Sequence, residues 1–157
     1  GLGLGYTLRA ALDRLPADAR VTVAELVPEL IEWNRTYLGH LNAGALEDPR
    51  CKVVVGDVYD IISHGKQTFD VILLDVDNGP QALSQMKNQR LYGDAGTRAC
   101  WNALTPGGAL GVWSAGPDAR YAARLNRCDF HSEVLRVPAR TGGRASHVLF
   151  VGKKSAA

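Results

Sequence analysis

A glycine-rich segment opens the sequence. Gly1-Leu2-Gly3-Leu4-Gly5 directly precedes a run in which apolar residues recur at helical spacing. Glycine permits a tight turn and lets a ligand approach the backbone where a side chain would collide. A GxGxG segment alone is equally compatible with a purely structural turn, so its meaning depends on the residues that follow.

Three acidic residues lie at the ends of strand-like segments: Glu25 ends VTVAEL, Asp57 follows CKVVVG and Asp75 follows FDVILL. The carboxyl ends of adjacent parallel strands form the crevice in which doubly wound sheets bind ligands. Glu25, twenty residues after Gly5, is placed to accept both ribose hydroxyls of a nucleoside, and Asp57 to accept from an adenine amino group. Alternatively, each acid caps a helix or forms a turn. This alternative is reasonable for any single acid and less so for all three together.

Strand-like and helical segments alternate along most of the chain. Short β-branched runs bounded by Gly, Pro or Asp predict strands, and apolar residues at helical spacing predict helices. The alternation is typical of a doubly wound, mostly parallel α/β sheet of the Rossmann type, with helices on both faces. The predicted strands are 21–26, 51–56, 69–74 and 109–113, and the predicted helices are 7–15, 28–41, 58–63 and 96–104.

The C-terminal end breaks this alternation. Two strand-like runs, 132–137 and 146–151, are joined by a loop too short for a parallel crossover, which predicts an antiparallel hairpin closing one edge of the sheet. This arrangement is similar to that of class I S-adenosylmethionine-dependent transferases. A domain that binds NAD usually continues with parallel units instead.

Size and composition indicate one domain, 1–157, with ordinary shares of apolar (46%) and charged (22%) residues. The net charge of +2 gives no reason to expect a nucleic-acid partner. No apolar run reaches the ~18 residues of a membrane helix. The three cysteines and four histidines lack metal-ligand spacing, so we expect no metal site. The odd number of cysteines favours free thiols and therefore a reducing, cytoplasmic location.

The start of the chain is unusual because the glycine loop begins at Gly1. In this topology, a strand leads into the loop and lies at the centre of the sheet, beside the strands at 21–26 and 69–74. Without it, the neighbouring strands would keep unpaired backbone groups. We therefore predict that the natural protein is longer at its N-terminus, and that 1–157 lacks the first strand and any N-terminal domain.

The order and spacing of several segments resemble the spermidine synthase-like branch of the class I S-adenosylmethionine-dependent methyltransferase superfamily. These segments, which extend over nearly the whole chain, are GLGLGYTLR, VTVAEL, DPRCKVVVGD, FDVILLDVDNGP, LYGD and LTPGGALGVW. The resemblance implies that the glycine loop holds the methionine part of the cofactor, Glu25 the ribose and Asp57 the adenine. It also implies that Asp75 faces the transferred group and the incoming amine, with Tyr92 near the substrate. The predicted cofactor contacts are Gly1, Gly3, Gly5, Glu25, Leu26, Asp57, Val58 and Asp75, and the predicted catalytic residues are Asp75 and Tyr92.

The chain departs from this family pattern at two positions that concern the acceptor. Leu4 stands near an acid that spermidine synthases carry in their glycine loop, and Asn78 stands where a second acid follows the fourth strand, although Asp77 lies next to it. Their small N-terminal β-domain is also absent from this sequence. Each departure removes negative charge or enclosure that a polycationic amine needs.

Three functions remain open. The favoured one is a transferase that uses S-adenosylmethionine or decarboxylated S-adenosylmethionine and moves a methyl or aminopropyl group to a small amine-type acceptor. Methyl transfer is slightly preferred, because the polyamine features are depleted, with spermidine synthase proper as the alternative. The second is a non-catalytic domain that binds S-adenosyl ligands, and the third is an NAD-dependent oxidoreductase, disfavoured by the terminal hairpin. A homodimer is the candidate assembly, although nothing in the sequence fixes it.

Overall fold

The computed structural model describes residues 1–75, 79–81, 90–138 and 146–156. The chain divides into two compact units, Gly1–Ile61 and Ile62–Ala157, which are described separately. Within the described residues, no helix is both long and apolar enough to cross a bilayer.

The first unit is built on two parallel strands, β1 (Val21–Glu25) and β2 (Cys51–Val55), paired in register from their first to their last residues. Helix α1 (Tyr6–Leu12) follows the glycine loop, and α2 (Pro28–Trp33) starts the crossover between the strands. Helix α3 (Val58–His64) begins directly after β2. The core is formed by apolar side chains from the loop, helices and strand: Leu2, Leu8, Leu12, Val23, Ile31, Ala45 and Leu46.

Helix α1 ends earlier than the predicted 7–15. The N–H groups of Arg14 and Leu15 both donate to the carbonyl of Ala11, which tightens the last turn. Pro16 then disfavours helical geometry in the residue before it. The helix therefore stops at Leu12 although apolar spacing continues to Leu15.

The predicted helix 28–41 forms, but its geometry changes part-way. Pro28 occupies its first turn, where a missing N–H costs nothing. After Trp33 the backbone widens into a π-helical turn, Asn34–Leu38, and then tightens into a 3₁₀ turn, Gly39–Leu41. Such π turns are often found at functional sites, and this one begins at a buried asparagine.

The second unit contains a four-stranded sheet in the order β3-β4-β6-β5. Strands β3 (Phe69–Leu74) and β4 (Leu104–Ser114) are parallel, and α4 (Asp94–Ala103) precedes β4. Strands β5 (His131–Pro138) and β6 (Ser146–Lys153) are antiparallel to each other. The predicted hairpin at one edge of the sheet is thus confirmed.

One helix of the second unit was not among the predicted elements. Helix α5 (Ala119–Arg127) is capped by Asp118, whose side chain accepts from the N–H groups of Arg120 and Tyr121. It buries Tyr121 and Leu125 in the core of the second unit, which also includes Phe150. The Asp cap and the spacing of 121 and 125 are the sequence signals that could have identified it.

The described residues form two sheets, one in each unit, and the sequence predicts this division, since the strand expected between 21–26 and 69–74 would precede Gly1. Among these residues, β1 pairs only with β2, and β3 pairs in parallel with β4. These are the strands beside which the sequence analysis expects a preceding strand. What precedes Gly1 in the natural protein stays a prediction.

Candidate functional site

The glycine loop adopts a turn that requires glycine at two positions. Gly3 and Gly5 have φ angles of +53° and +79°, and the Gly5 N–H donates to the Leu2 carbonyl at 2.9 Å. A Cβ on Gly5 would lie 2.6 Å from Asn42 Nδ2, whereas a Cβ on Gly3 would meet nothing within 4 Å. Gly5 is therefore required for packing, while Gly3 leaves the exposed side of the loop open to approach.

Glu25 connects the end of β1 to the glycine loop. The residue is 6% exposed; its Oε2 accepts from the Leu2 N–H at 2.7 Å, and its Oε1 accepts from the Val27 N–H at 2.9 Å. Because an ionised carboxylate has about four acceptor positions, these two bonds leave capacity for a vicinal diol. The neighbouring Leu26 is 57% exposed and offers apolar surface beside the carboxylate.

Asp57 lies at the same end of the same two-stranded sheet. Val55 is the register partner of Glu25, and the Gly56 N–H donates to the Glu25 carbonyl at 2.9 Å. Asp57, the next residue, therefore lies where β1 and β2 both end. Its Oδ1 accepts from the Tyr59 N–H at 2.8 Å and caps α3, as the capping alternative predicts. Contact with adenine stays a prediction for Asp57, as it does for half-buried Val58 at the start of α3.

Two asparagines that the sequence analysis did not select hold the glycine loop from within the unit. Asn34 Nδ2 donates to the Gly3 carbonyl at 2.9 Å, and Asn42 Nδ2 donates to the Leu4 carbonyl at 3.0 Å. Both residues are nearly inaccessible, at 1% and 2% exposure. A signal was present: Asn34 lies three residues after Ile31, on the apolar side of a predicted helix.

The two predicted catalytic residues belong to the second unit. Asp75 is exposed and directly follows buried Leu74 at the end of β3. Tyr92 is only 3% exposed; its ring meets Tyr121 edge-on at 5.9 Å, and its carbonyl accepts from Arg124 Nη1 at 2.9 Å. Two residues named in the sequence analysis, Asp77 and Asn78, lie outside the described residues.

Comparison with known proteins identifies the family. Residues 3–115 match the model of the spermine/spermidine synthase domain. The chain belongs to this family. Its first unit carries the glycine loop, Glu25 and Asp57 within the matched segment, so the resemblance stated from sequence is confirmed.

A named relative is a polyamine aminopropyltransferase from Nitrosomonas europaea. It is 39% identical over 108 residues, which cover 68% of this chain and 31% of the relative. A second, from Shigella sonnei, is 33% identical over 110 residues, covering 69% of this chain and 35% of the relative. The chain thus spans about a third of the length of the curated relatives it matches.

Solved structures confirm the fold class. A spermidine synthase in complex with the transition-state analogue AdoDATO has a TM-score of 0.76 at 23% identity, covering all of this chain and 52% of that one. The 1,6-didemethyltoxoflavin-N1-methyltransferase of Burkholderia thailandensis has a TM-score of 0.66 at 18% identity, covering 99% and 68%. Both likenesses concern the fold: a mixed α/β, Rossmann-like domain of the methyltransferase type.

The cysteines of this family member are not arranged as nucleophiles. Burial raises the pKa of the Cys100 thiol to about 12, and desolvation also raises the pKa of Cys128 and of half-buried Cys51. Because the thiolate is the reactive form, these shifts lower the thiolate fraction of all three cysteines near neutral pH.

Proposed function

We propose that this domain binds decarboxylated S-adenosylmethionine and transfers its aminopropyl group to a small polyamine-type acceptor. The observation that carries the proposal is the bond between the Glu25 carboxylate and the Leu2 N–H, which fixes the acid against the glycine loop at 2.7 Å. Glu25, Gly3 and Gly5 lie in the segment that matches the spermine/spermidine synthase domain. The names of the curated relatives support aminopropyl transfer better than methyl transfer.

The residues present fit an S-adenosyl ligand. The open side of Gly3 admits a ligand to the loop backbone, and the remaining acceptor positions of Glu25 suit the two ribose hydroxyls. Asp57 can accept from an adenine amino group while Oδ1 keeps capping α3. Exposed Leu26 and half-buried Val58 offer apolar surface for the base.

When bound, the sulfonium ligand supplies an electrophilic carbon and, once its C–S bond breaks, a neutral thioether. The chain's task is to hold an amine nitrogen in line with that carbon and to accept its proton. Asp75, exposed at the end of β3, is proposed to orient the amine and take the proton. Tyr92 is proposed to assist by hydrogen bonding, its ring fixed edge-on against Tyr121.

Methyl transfer from S-adenosylmethionine to an amine-type acceptor is the second candidate. Leu4 favours it, because this side chain is 44% exposed near the position where the sequence resemblance expects an acid for a cationic group. A methyltransferase among the structural neighbours is consistent with it, although that likeness concerns the fold. The two candidates differ in their preferred ligand and are separable by binding.

Calorimetry of the full-length protein with S-adenosylmethionine, decarboxylated S-adenosylmethionine and NAD tests these functions. We expect the decarboxylated form to bind at least as tightly as S-adenosylmethionine and NAD not to bind. Incubation with an aliphatic diamine should then give an aminopropylated amine and 5′-methylthioadenosine. Exclusive binding of S-adenosylmethionine would favour methyl transfer, and binding without turnover would favour a non-catalytic domain.

Asp75→Asn tests the catalytic assignment separately. The amide keeps the size of the side chain but cannot take a proton, so turnover should be lost while ligand affinity stays within a few-fold. Asp70→Asn, at an exposed position of β3, is the matched control and should keep its activity. Full turnover in Asp75→Asn would remove this residue from the mechanism.

A further inference from the structure

We infer that Asn34 and Asn42 are positioning residues that hold the glycine loop in its ligand-binding conformation. The inference rests on the proposed function, because it assigns these residues a role in S-adenosyl ligand binding. Neither residue is placed to touch the ligand through an exposed atom, since both are nearly inaccessible. They act through the loop backbone.

The hydrogen-bonding capacity of the two asparagines is used almost completely. Asn34 Nδ2 donates to the carbonyls of Gly3 and Leu30, both at 2.9 Å. Asn42 Nδ2 donates to Leu4 O at 3.0 Å and to Asn34 Oδ1 at 2.9 Å, which joins the two side chains. Asn42 Oδ1 in turn accepts from the Ala45 N–H at 3.0 Å.

This network completes the bonding of four consecutive loop carbonyls. Leu2 O accepts from the Gly5 N–H and Gly5 O from the Arg9 N–H, both at 2.9 Å, and the asparagines supply the donors for Gly3 O and Leu4 O. Rotating either of the two central peptide planes would break an asparagine bond and leave a buried amide without its partner. Such a loss is unfavourable because a buried donor without an acceptor has given up its bonds to water.

The loop needs such a restraint because of its composition. Glycine populates many backbone conformations, so a loop with glycine at alternate positions is costly to order when a ligand binds. Bonds that fix the loop beforehand remove that cost from the binding step. The buried asparagines therefore act on ligand affinity by ordering the loop in the ligand-free protein.

Packing gives an independent reason to connect Asn42 with the loop. A Cβ on Gly5 would lie 2.6 Å from Asn42 Nδ2 and 2.9 Å from its Cγ. Asn42 thus fills the space that the missing side chain of Gly5 leaves. The hydrogen bond to Leu4 O and this close contact fix two adjacent residues of the loop.

The test compares Asn34→Asp and Asn42→Asp with the wild type in the full-length protein. Aspartate keeps the shape but replaces the donor with an acceptor, which faces the Gly3 or Leu4 carbonyl. Affinity for decarboxylated S-adenosylmethionine and S-adenosylmethionine, measured by calorimetry well below Tm, should fall on the order of 10-fold. Hydrogen exchange at the amides of residues 2–5 should become faster in the ligand-free variants.

Leu46→Ala is the control for general destabilisation. Leu46 belongs to the core of the same unit, so its truncation lowers Tm, but its side chain has no hydrogen bond to give the loop. Affinity below Tm and loop exchange should stay near the wild-type values. Should an aspartate variant not fold, Asn34→Ser removes the long amide without adding a charge and takes its place.

The inference would be overturned if the asparagine variants had a lower Tm, as the control does, but wild-type ligand affinity and wild-type hydrogen-exchange rates in the loop. The asparagines would then have a merely structural role. Failure of the proposed function gives a different result, because the wild type itself would then bind neither S-adenosyl ligand. In that case, loop exchange still decides whether the asparagines hold the loop: unchanged exchange overturns the inference, and faster exchange supports it.

Discussion

The two groups of site residues are held in different ways. In the first unit, side chains hold main-chain groups: the Glu25 carboxylate accepts from the Leu2 N–H of the glycine loop and from the Val27 N–H. In the second unit, Tyr92 is held by side chains, with Arg124 on its carbonyl and Tyr121 against its ring. The first arrangement fixes a backbone path, whereas the second also fixes the orientation of a side chain, the Tyr92 ring.

This difference separates two kinds of specificity. In the proposed function, recognition of the nucleoside depends on a backbone path that glycine and two asparagines define. The surroundings of Tyr92 depend on residues of α5, which lie about thirty positions further along the chain. We therefore expect substitutions in the first unit to change ligand affinity, and substitutions around Tyr92 to change turnover or stability.

Glu25→Gln should give the largest effect. One carboxylate oxygen becomes an amide that must face either the Leu2 or the Val27 N–H, so a donor meets a donor. Losing a charged acceptor for both the loop and the ribose should weaken S-adenosyl ligand affinity on the order of 100-fold. Calorimetry measures the change.

Glu29→Gln provides the matched control, since it makes the same substitution at an exposed position in the first turn of α2. Its affinity should equal that of the wild type. An equal loss in both variants, or none in Glu25→Gln, would break the assignment of Glu25 to the ribose.

Arg124→Ala is the corresponding test in the second unit. The change removes the donor to the Tyr92 carbonyl and the ion pair with Asp94, at a cost of about 1–2 kcal/mol in the free energy of unfolding. Because Tyr92 is then held less firmly, kcat should fall while S-adenosyl ligand affinity is retained. Urea unfolding and steady-state kinetics measure the two effects.

Arg120→Ala, on an exposed position of the same helix, should leave both quantities unchanged. A drop in ligand affinity with unchanged kcat in Arg124→Ala would contradict the division between the two groups of site residues.

Asp57 carries two roles that a pair of variants can separate. Asp57→Ala removes the cap of α3 and should cost about 1 kcal/mol in the free energy of unfolding. Asp57→Asn retains a capping oxygen, so its stability should stay near the wild-type value while affinity falls if the carboxylate meets adenine. Thermal unfolding and calorimetry on both variants give the answer; unchanged affinity in Asp57→Asn leaves capping as its only role.

The smallest effect concerns acid stability. Hydrogen bonds from Arg50 lower the pKa of Asp48 from 3.8 to about 2. Since a depressed carboxyl pKa stabilises the fold above the unfolded-state value, this contribution is present above about pH 4 and is lost as pH falls towards 2. In Asp48→Asn, Tm should be lower at neutral pH, and the difference from wild type should shrink between pH 5 and 2.

The sequence predicts those parts of the fold that depend on local pattern. Strand positions, the glycine turn and the placement of Glu25 and Asp57 at strand ends follow from short-range signals, and the structure places them there. The change of helix geometry at Asn34 could not be predicted in the same way, because it accompanies a bond to Gly3, thirty-one residues away. Burial of Tyr92 likewise depends on long-range contacts, those with Tyr121 and Arg124 of α5.

The interlocking of Gly5 and Asn42 has a consequence for how the domain can evolve. Alanine at position 5 collides with the amide of residue 42 and would also have to adopt a φ of +79°, so substitution of this glycine requires a smaller residue at position 42 in addition to a changed turn. Lineages that lose this glycine should therefore carry a compensating change at the other position. The two sites are expected to covary although thirty-seven positions separate them in the chain.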